Sequence, residues 1–394
     1  MVPDQCYQLV NVSVAVVPDF DAEGEVVLLT AHGYRERTNK EQGQAAMHIF
    51  IDESGGFQCT DKASAPSCVG AVIIPGRYLQ EVEDGFRQLA MGWPTDKGEV
   101  KGKLLLERHF VELCQFLETR SVLFECSVID MACATEEEVN YHRSMQAEGM
   151  TKHLTTEHYA SLVAEVHRLR GVLEAMPLQL YAQFVTMTHV VWRALEHGML
   201  YYCQRLPGEL ARFRWVVDAK NDVRITPQED WWRVCVKPML QSRSLREPMA
   251  MLKGGNYSAF RRNFPSKPTP DYLKEHGFGK ERFGNDLGAV FGREMAFADS
   301  RDHVGLQIVD ALTNCVRRAL VGNIQAEGWQ PLRKLMIRHR EGSVKFITMG
   351  AGGSVAERPY SPVAHLLVKG ERGMVTSGSR RGDRGARRTA RAAG

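Results

Sequence analysis

Three aspartates, Asp52, Asp218 and Asp310, stand at the ends of, or inside, strongly apolar segments. Asp52 closes Ile49-Phe50-Ile51, and Asp218 closes Phe213-Arg214-Trp215-Val216-Val217. Asp310 lies between Val309 and Ala311 in a run that also holds Leu306 and Leu312. A carboxylate at a strand end is held by the sheet and faces whatever lies beyond its edge, which in open α/β sheets is where ligands bind. Carboxylates brought together repel one another and resist burial. Divalent cations remove that penalty, and Mg²⁺ takes oxygen ligands while keeping waters or phosphate oxygens in its shell. Two such ions about 3.5–4 Å apart activate a water and stabilise the leaving oxygen of a phosphodiester. The three aspartates together point to phosphodiester hydrolysis with Mg²⁺ or Mn²⁺ as cofactor. Taken singly, each has a plainer reading. Asp52 precedes Gly55-Gly56, Asp218 precedes Asn221-Asp222, and both contexts suit a turn residue. Asp310 is in reach of pairing with a base such as Arg317.

Basic residues near these positions suggest a nucleic-acid partner, DNA or RNA. Lys101 and Lys103 follow Glu99 and suit contact with a phosphate, or equally a solvated loop. The segment Lys253–Phe264 interleaves Lys253, Arg261 and Arg262 with Tyr257, Phe260 and Phe264, a composition that serves backbone contact and base stacking. The same aromatics would also serve a loop that packs them inward.

The elements that must position these residues follow from periodicity. Strands are expected at Ile49–Ile51, Cys68–Ile74, Val122–Met131, Arg212–Asp218 and, as the last of them, Glu294–Ala298. Helical spacing covers Tyr78–Leu89, Leu104–Leu117 and Val304–Leu320. Residues 135–206 read as a helical insertion of two helices, 156–175 and 178–204, divided near Met176-Pro177. His189 and His197 on the second are expected as structural histidines. The alternation of strands and helices predicts an α/β fold with a mixed sheet flanked by helices. Three regions follow: an N-terminal extension over 1–46, with short strands at Leu9–Val17 and Glu25–Thr30; a domain over 47–370; and a basic tail over 371–394. Met47, directly before the first buried strand, is a second candidate start of translation.

Bulk composition bounds the alternatives. In the 394 residues, hydrophobic residues make up 44% and charged residues 25%, ordinary for a globular chain. No apolar run nears the roughly 20 residues of a membrane span, and the start Met1-Val2-Pro3-Asp4-Gln5 lacks the form of a secretory signal. Nine cysteines without a CxxC pair read as free thiols in a reducing, cytoplasmic setting and argue against zinc. The net charge is +3, but six arginines and one aspartate after Ser379 supply +5 of it, so the rest of the chain carries about −2. Overall charge therefore gives no support for nucleic-acid binding by the body; only local patches would supply it.

The Asp52-Glu53-Ser54-Gly55 motif, the Glu99-Val100-Lys101-Gly102 segment, and Asp299-Ser300 followed by Gly305-Leu306-Gln307-Ile308-Val309-Asp310 resemble the DUF3800 family, which is regarded as having a ribonuclease H-like fold. Asp310-Ala311-Leu312 also resembles the last catalytic helix of Holliday-junction resolvases. The resemblance spans about 47–320 and is concentrated in its two end motifs. It implies a ribonuclease H-like nuclease in which Asp52 and Asp310 are metal ligands and Asp218 is the middle ligand. It also implies Glu53, Asp299 and Asp302 as additional or outer ligands, Glu99 as a further acidic position, and Lys101 as a phosphate contact. Gln307 stands where resolvases carry a second aspartate, which shifts that position towards orienting substrate or water. Two other readings follow from the same residues: a module of this fold that binds nucleic acid or a partner without cleaving, and a metal phosphoesterase for small molecules.

Overall fold

The computed structural model describes residues 45–152, 154–155, 158–220, 224–247, 249–263, 287–291, 295–350 and 355–376. The strands expected over 9–17 and 25–30, Asn221-Asp222, Phe264 and the arginines after Ser379 lie outside them.

Six strands form one mixed sheet in the order β7-β6-β1-β2-β5-β8. Their ranges are β1 Met47–Ser54, β2 Pro66–Pro75, β5 Leu123–Asp130, β6 Phe213–Asp218, β7 Met295–Ala298 and β8 Val344–Ile347. β1, β2 and β5 run antiparallel in succession. β6 adds parallel to β1, and β7 adds parallel to β6. β8 adds parallel to β5 at the other edge. Four-residue β8 corrects the expectation that Glu294–Ala298 is the last strand; Val344-Lys345-Phe346-Ile347 is too short to assert itself in sequence but pairs fully with β5. A separate hairpin joins β3 Thr95–Asp96 to β4 Glu99–Val100. Its two-residue turn, Lys97-Gly98, has positive φ at both positions (53° and 82°), the geometry that matches strand twist.

Helices cover both faces. On one lie α1 Gly76–Ala90, α2 Glu107–Glu118 and α8 Val304–Leu320. On the other lie α3 Glu136–Thr151, α4 Ala160–Ala175, α5 Leu178–Tyr202 and α6 Pro227–Arg246. Short helices α7 Leu287–Phe291, α9 Ala326–Trp329 and α10 Ser361–Leu367 complete the set. The helical insertion thus holds three helices, not two: α3 begins at Glu136, capped by Thr135, which accepts from the Glu138 N–H while the Glu138 carboxylate accepts from the Thr135 N–H. α6 has the same device in Thr226 and Glu229. The body also extends past residue 370, because Arg372 donates its N–H to the Met336 carbonyl and Gly373 and Met374 carbonyls accept from Arg205.

Strand periodicity sorts the core into two layers. Ile49, Ile51, Val69, Ala71 and Ile73 face the α5 side, and Phe50, Val72, Ile74 and Val216 face the α8 side. Each fully buried Leu, Ile or Phe contributes ~1.5–3 kcal/mol. α8 buries all of its residues except Gln307, Asp310, Arg317 and Arg318. It rides close to the sheet: a Cβ on Gly305 would lie 2.4 Å from the Phe50 ring, and one on Gly70 would lie 2.0 Å from the Thr313 hydroxyl.

Candidate active site

Asp52 and Asp218 are brought together by strand register. The last pair between the parallel strands β1 and β6 is Ile51 with Val217, so the two aspartates follow it side by side. Neighbouring strands stand about 4.8 Å apart. Asp52 shares the parity of Phe50, and Asp218 that of Val216, so both carboxylates face α8. Asp310 meets them from that helix. Asn314, one turn further on, donates to the Ser54 hydroxyl at 3.2 Å and clips α8 to the end of β1. The three carboxylates, from two strands and a helix, sense one another: Asp218 and Asp310 both push the Asp52 pKa upward, after burial, the largest cause.

Burial is also the largest cause for the other two. Burial, then the charges of Glu99, Asp310 and Asp299, push Asp218 up to about 7 against the pull of Lys101. Burial also raises Asp310, although the Gly102 N–H and Lys101 oppose it. The Gly102 N–H donates to Asp310 Oδ2 at 2.8 Å, so the Asp310 partner is this backbone group and not Arg317. Arg318, two turns along α8, donates to the carbonyls of Gly102 and Leu105 at 3.2 and 2.6 Å. The β3–β4 hairpin and the following 3₁₀ turn, Gly102–Leu104, are thereby fixed to the helix.

Lys101 enters the group from that hairpin. Its ammonium pairs with buried Glu99 and lies 3.3 Å from the Ser300 hydroxyl. Although burial opposes it, the Lys101 pKa is raised by Glu99, Asp310 and Asp218 together. Lys103, by contrast, points to exposed Asp96. Gln307 donates to the Ser300 carbonyl at 3.0 Å and accepts from the Val100 N–H at 3.3 Å, so its amide ties the hairpin to the turn after β7. This explains an amide rather than an aspartate at that position: the amide offers a donor and an acceptor, whereas an ionised carboxylate only accepts.

The remaining acidic residues already hold cations. Glu53 pairs with Lys220, a residue absent from the sequence reading, and donates its N–H to Asp52 Oδ1 at 2.7 Å. Asp299 is gripped by Arg301, which lowers its pKa. Asp302 is exposed. Asn314 and Arg318 were findable, since they lie four and eight residues after Asp310 on one helix face. Lys220 carried no such signal.

Asp52 is buried and Asp218 and Asp310 are half-buried at this edge of the sheet. Among the described residues, no three His, Cys, Asp or Glu side chains are drawn into a ready-made ligand shell.

The two described aromatics of the segment after Lys253, Tyr257 and Phe260, pack inward rather than presenting free faces. Phe260 is fully buried with its ring against Phe213, and the Tyr257 hydroxyl accepts from the Leu252 N–H at 2.7 Å. Eight cysteines are free thiols, seven of them buried. No helix among the described residues is long and apolar enough to cross a membrane. No family model, curated protein or solved structure matches this chain.

Proposed function

We propose that this chain is a divalent-metal-dependent nuclease of ribonuclease H-like fold, akin to the DUF3800 family, that hydrolyses phosphodiester bonds in DNA or RNA. The observation that carries the proposal is that β1, β6 and α8 carry Asp52, Asp218 and Asp310 on one face at one sheet edge, where Asp218 and Asp310 both raise the Asp52 pKa, beside the ammonium of Lys101. The sheet supports it as well. An antiparallel meander of three strands, extended by two parallel strands on the side of the first, is the arrangement expected of such a fold.

Asp52, Asp218 and Asp310 would hold Mg²⁺ or Mn²⁺. The cation, when bound, supplies charge against the developing phosphate negative charge and acidifies the attacking water. The chain's own residues do the rest. The Gly102 N–H holds one Asp310 oxygen and leaves the other available. Lys101, anchored by Glu99, presents a fixed positive charge to a non-bridging phosphate oxygen. Gln307 and Arg318 keep the hairpin that carries Lys101 in place. Glu53 with Lys220 and Asp299 with Arg301 flank the group as neutral pairs. That arrangement leaves Asp52, Asp218 and Asp310 as the ligands, with Glu53 and Asp299 outside them.

Labelled single- and double-stranded DNA and RNA, incubated with the protein in Mn²⁺ or in EDTA, test the proposal. Cleavage that requires the metal and disappears in Asp52→Asn and Asp310→Asn is expected. Absence of metal-dependent cleavage on all four substrates, or cleavage unchanged in those variants, overturns it.

A further inference from the structure

On the opposite face of the sheet from the aspartates, α5 and β8 border a cavity of about 40 Å³. Its lining includes His189, Arg193, His197, Arg243, His339 and Lys345. A single water needs roughly 10–15 Å³ measured this way, so the space suits a group of a few heavy atoms.

Two of the lining residues are accounted for by their contacts. Buried Glu125 on β5 pairs with Arg193 at 3.3 Å and with His197 Nδ1 at 2.8 Å, and Arg193 also donates to the Gly342 and Ser343 carbonyls. His189 is different. It is 3% exposed, and its Nε2 has no hydrogen-bond partner. An orphaned buried polar group of this kind is destabilising and calls for an explanation, such as an ion that it binds.

The charges around His189 indicate the sign of that ion. Its pKa lies well below the ordinary histidine value, first because of burial and then because Arg243, Lys345 and Arg193 all surround it with positive potential. Arg243 is held in place over the Trp192 ring, 4.6 Å from its centre. Of the nearby carboxylates, Glu125 is engaged as described, Glu196 accepts from the Ala250 N–H at 3.2 Å, Glu247 accepts from Arg243 at 3.1 Å, and Glu341 is exposed. A metal cation is disfavoured although three imidazoles line the space. Among the described residues no three His, Cys, Asp or Glu side chains are grouped to hold one, and two guanidiniums and an ammonium would repel it.

We propose that this cavity binds a phosphate-like oxyanion, with His189 Nε2–H donating to it and the charge of Lys345 balancing it beside the Arg243–Glu247 pair. The anion satisfies the orphaned donor and fits the space. Its source is either free phosphate or the terminal phosphate of a nucleotide, and the two are distinguished by titration.

Calorimetry of the full chain in EDTA, with inorganic phosphate and separately with adenosine monophosphate, tests the site without reference to cleavage. Saturable phosphate binding is expected, at least tenfold weaker in His189→Leu and in Lys345→Met, and not reproduced by sodium chloride at equal ionic strength. Lys345 is partly exposed on β8, so Lys345→Met keeps the fold, which a melting curve checks. Binding of adenosine monophosphate as tight as that of phosphate identifies a nucleotide phosphate; binding of phosphate alone identifies the free oxyanion. No saturable binding of either, equal binding in both variants, or equal competition by chloride overturns the proposal.

Discussion

The Gly102 N–H donates to the Asp310 carboxylate at 2.8 Å, and this contact fastens the hairpin that carries Lys101 to the helix that carries Asp310. The approach leaves no room for a side chain at Gly102. A Cβ there would stand 2.6 Å from Asn314 Cβ and 2.9 Å from the Asp310 carbonyl oxygen. Gly102→Ala is therefore expected to push the hairpin outward. Cleavage falls by tenfold or more, while stability drops by about 1–3 kcal/mol, the usual range for overpacking. Chemical denaturation beside a rate measurement checks both. Unchanged cleavage would mean that Lys101 needs no such anchoring.

Asp218 makes stability depend on pH in an unusual direction. Its pKa is pushed up from 3.8 to about 7, so between those values the folded chain binds more protons than the unfolded one. Stability then falls as pH rises from about 4 to 7, and the penalty is complete above 7. Burial raises Asp52 as well, which adds in the same direction. In EDTA, Asp218→Asn is expected to melt about 1–2 °C above the parent at pH 8, an effect of ~1–2 kcal/mol in a chain of this size. The difference vanishes at pH 4, and Mn²⁺ narrows it at pH 8. A difference independent of pH would contradict this account of the site.

Lys101 touches the reacting phosphate in the proposed mechanism, whereas Lys103 faces exposed Asp96. Lys101→Met is expected to slow cleavage about 100–1,000-fold, the order seen when one electrostatic contact to developing charge is removed. Lys103→Met leaves it within about twofold. Parallel rate measurements with one labelled substrate decide the point, and equal effects of the two substitutions would contradict it.

Glu125, Arg193 and His197 form a buried charged group on the α5 face. Removing one member of such a group leaves a charge without compensation and costs about 3–5 kcal/mol. Glu125→Leu is expected to lose that much in urea denaturation. A loss under 1 kcal/mol would show that Arg193 is satisfied by the Gly342 and Ser343 carbonyls alone.

The elements that carry the three aspartates were legible in the sequence, and the contacts around them were not. Asp52 and Asp310 lie in elements with strong periodicity, and Val304–Leu320 coincides with α8. Asp218 ends a β-rich apolar run, and that too survives in β6. α6 escaped notice because Arg233, Lys237 and Pro238 interrupt its buried stripe of Trp231, Trp232, Cys235, Val236 and Leu240. The Thr226–Glu229 cap was the signal that would have marked its start. Register and side-chain pairing are tertiary facts. No spacing in the chain reports that Lys220 reaches Glu53, that Gln307 bridges Val100 and Ser300, or that β8 pairs with β5 from more than 200 residues away.

The central claim, that Asp52, Asp218 and Asp310 form one divalent-cation site, is tested most directly by calorimetric titration of the protein with Mn²⁺ at pH 7.5. The account predicts saturable binding in the parent chain and at least tenfold weaker binding in each of Asp52→Asn, Asp218→Asn and Asp310→Asn. No binding by the parent, or binding undiminished in the three variants, would contradict it.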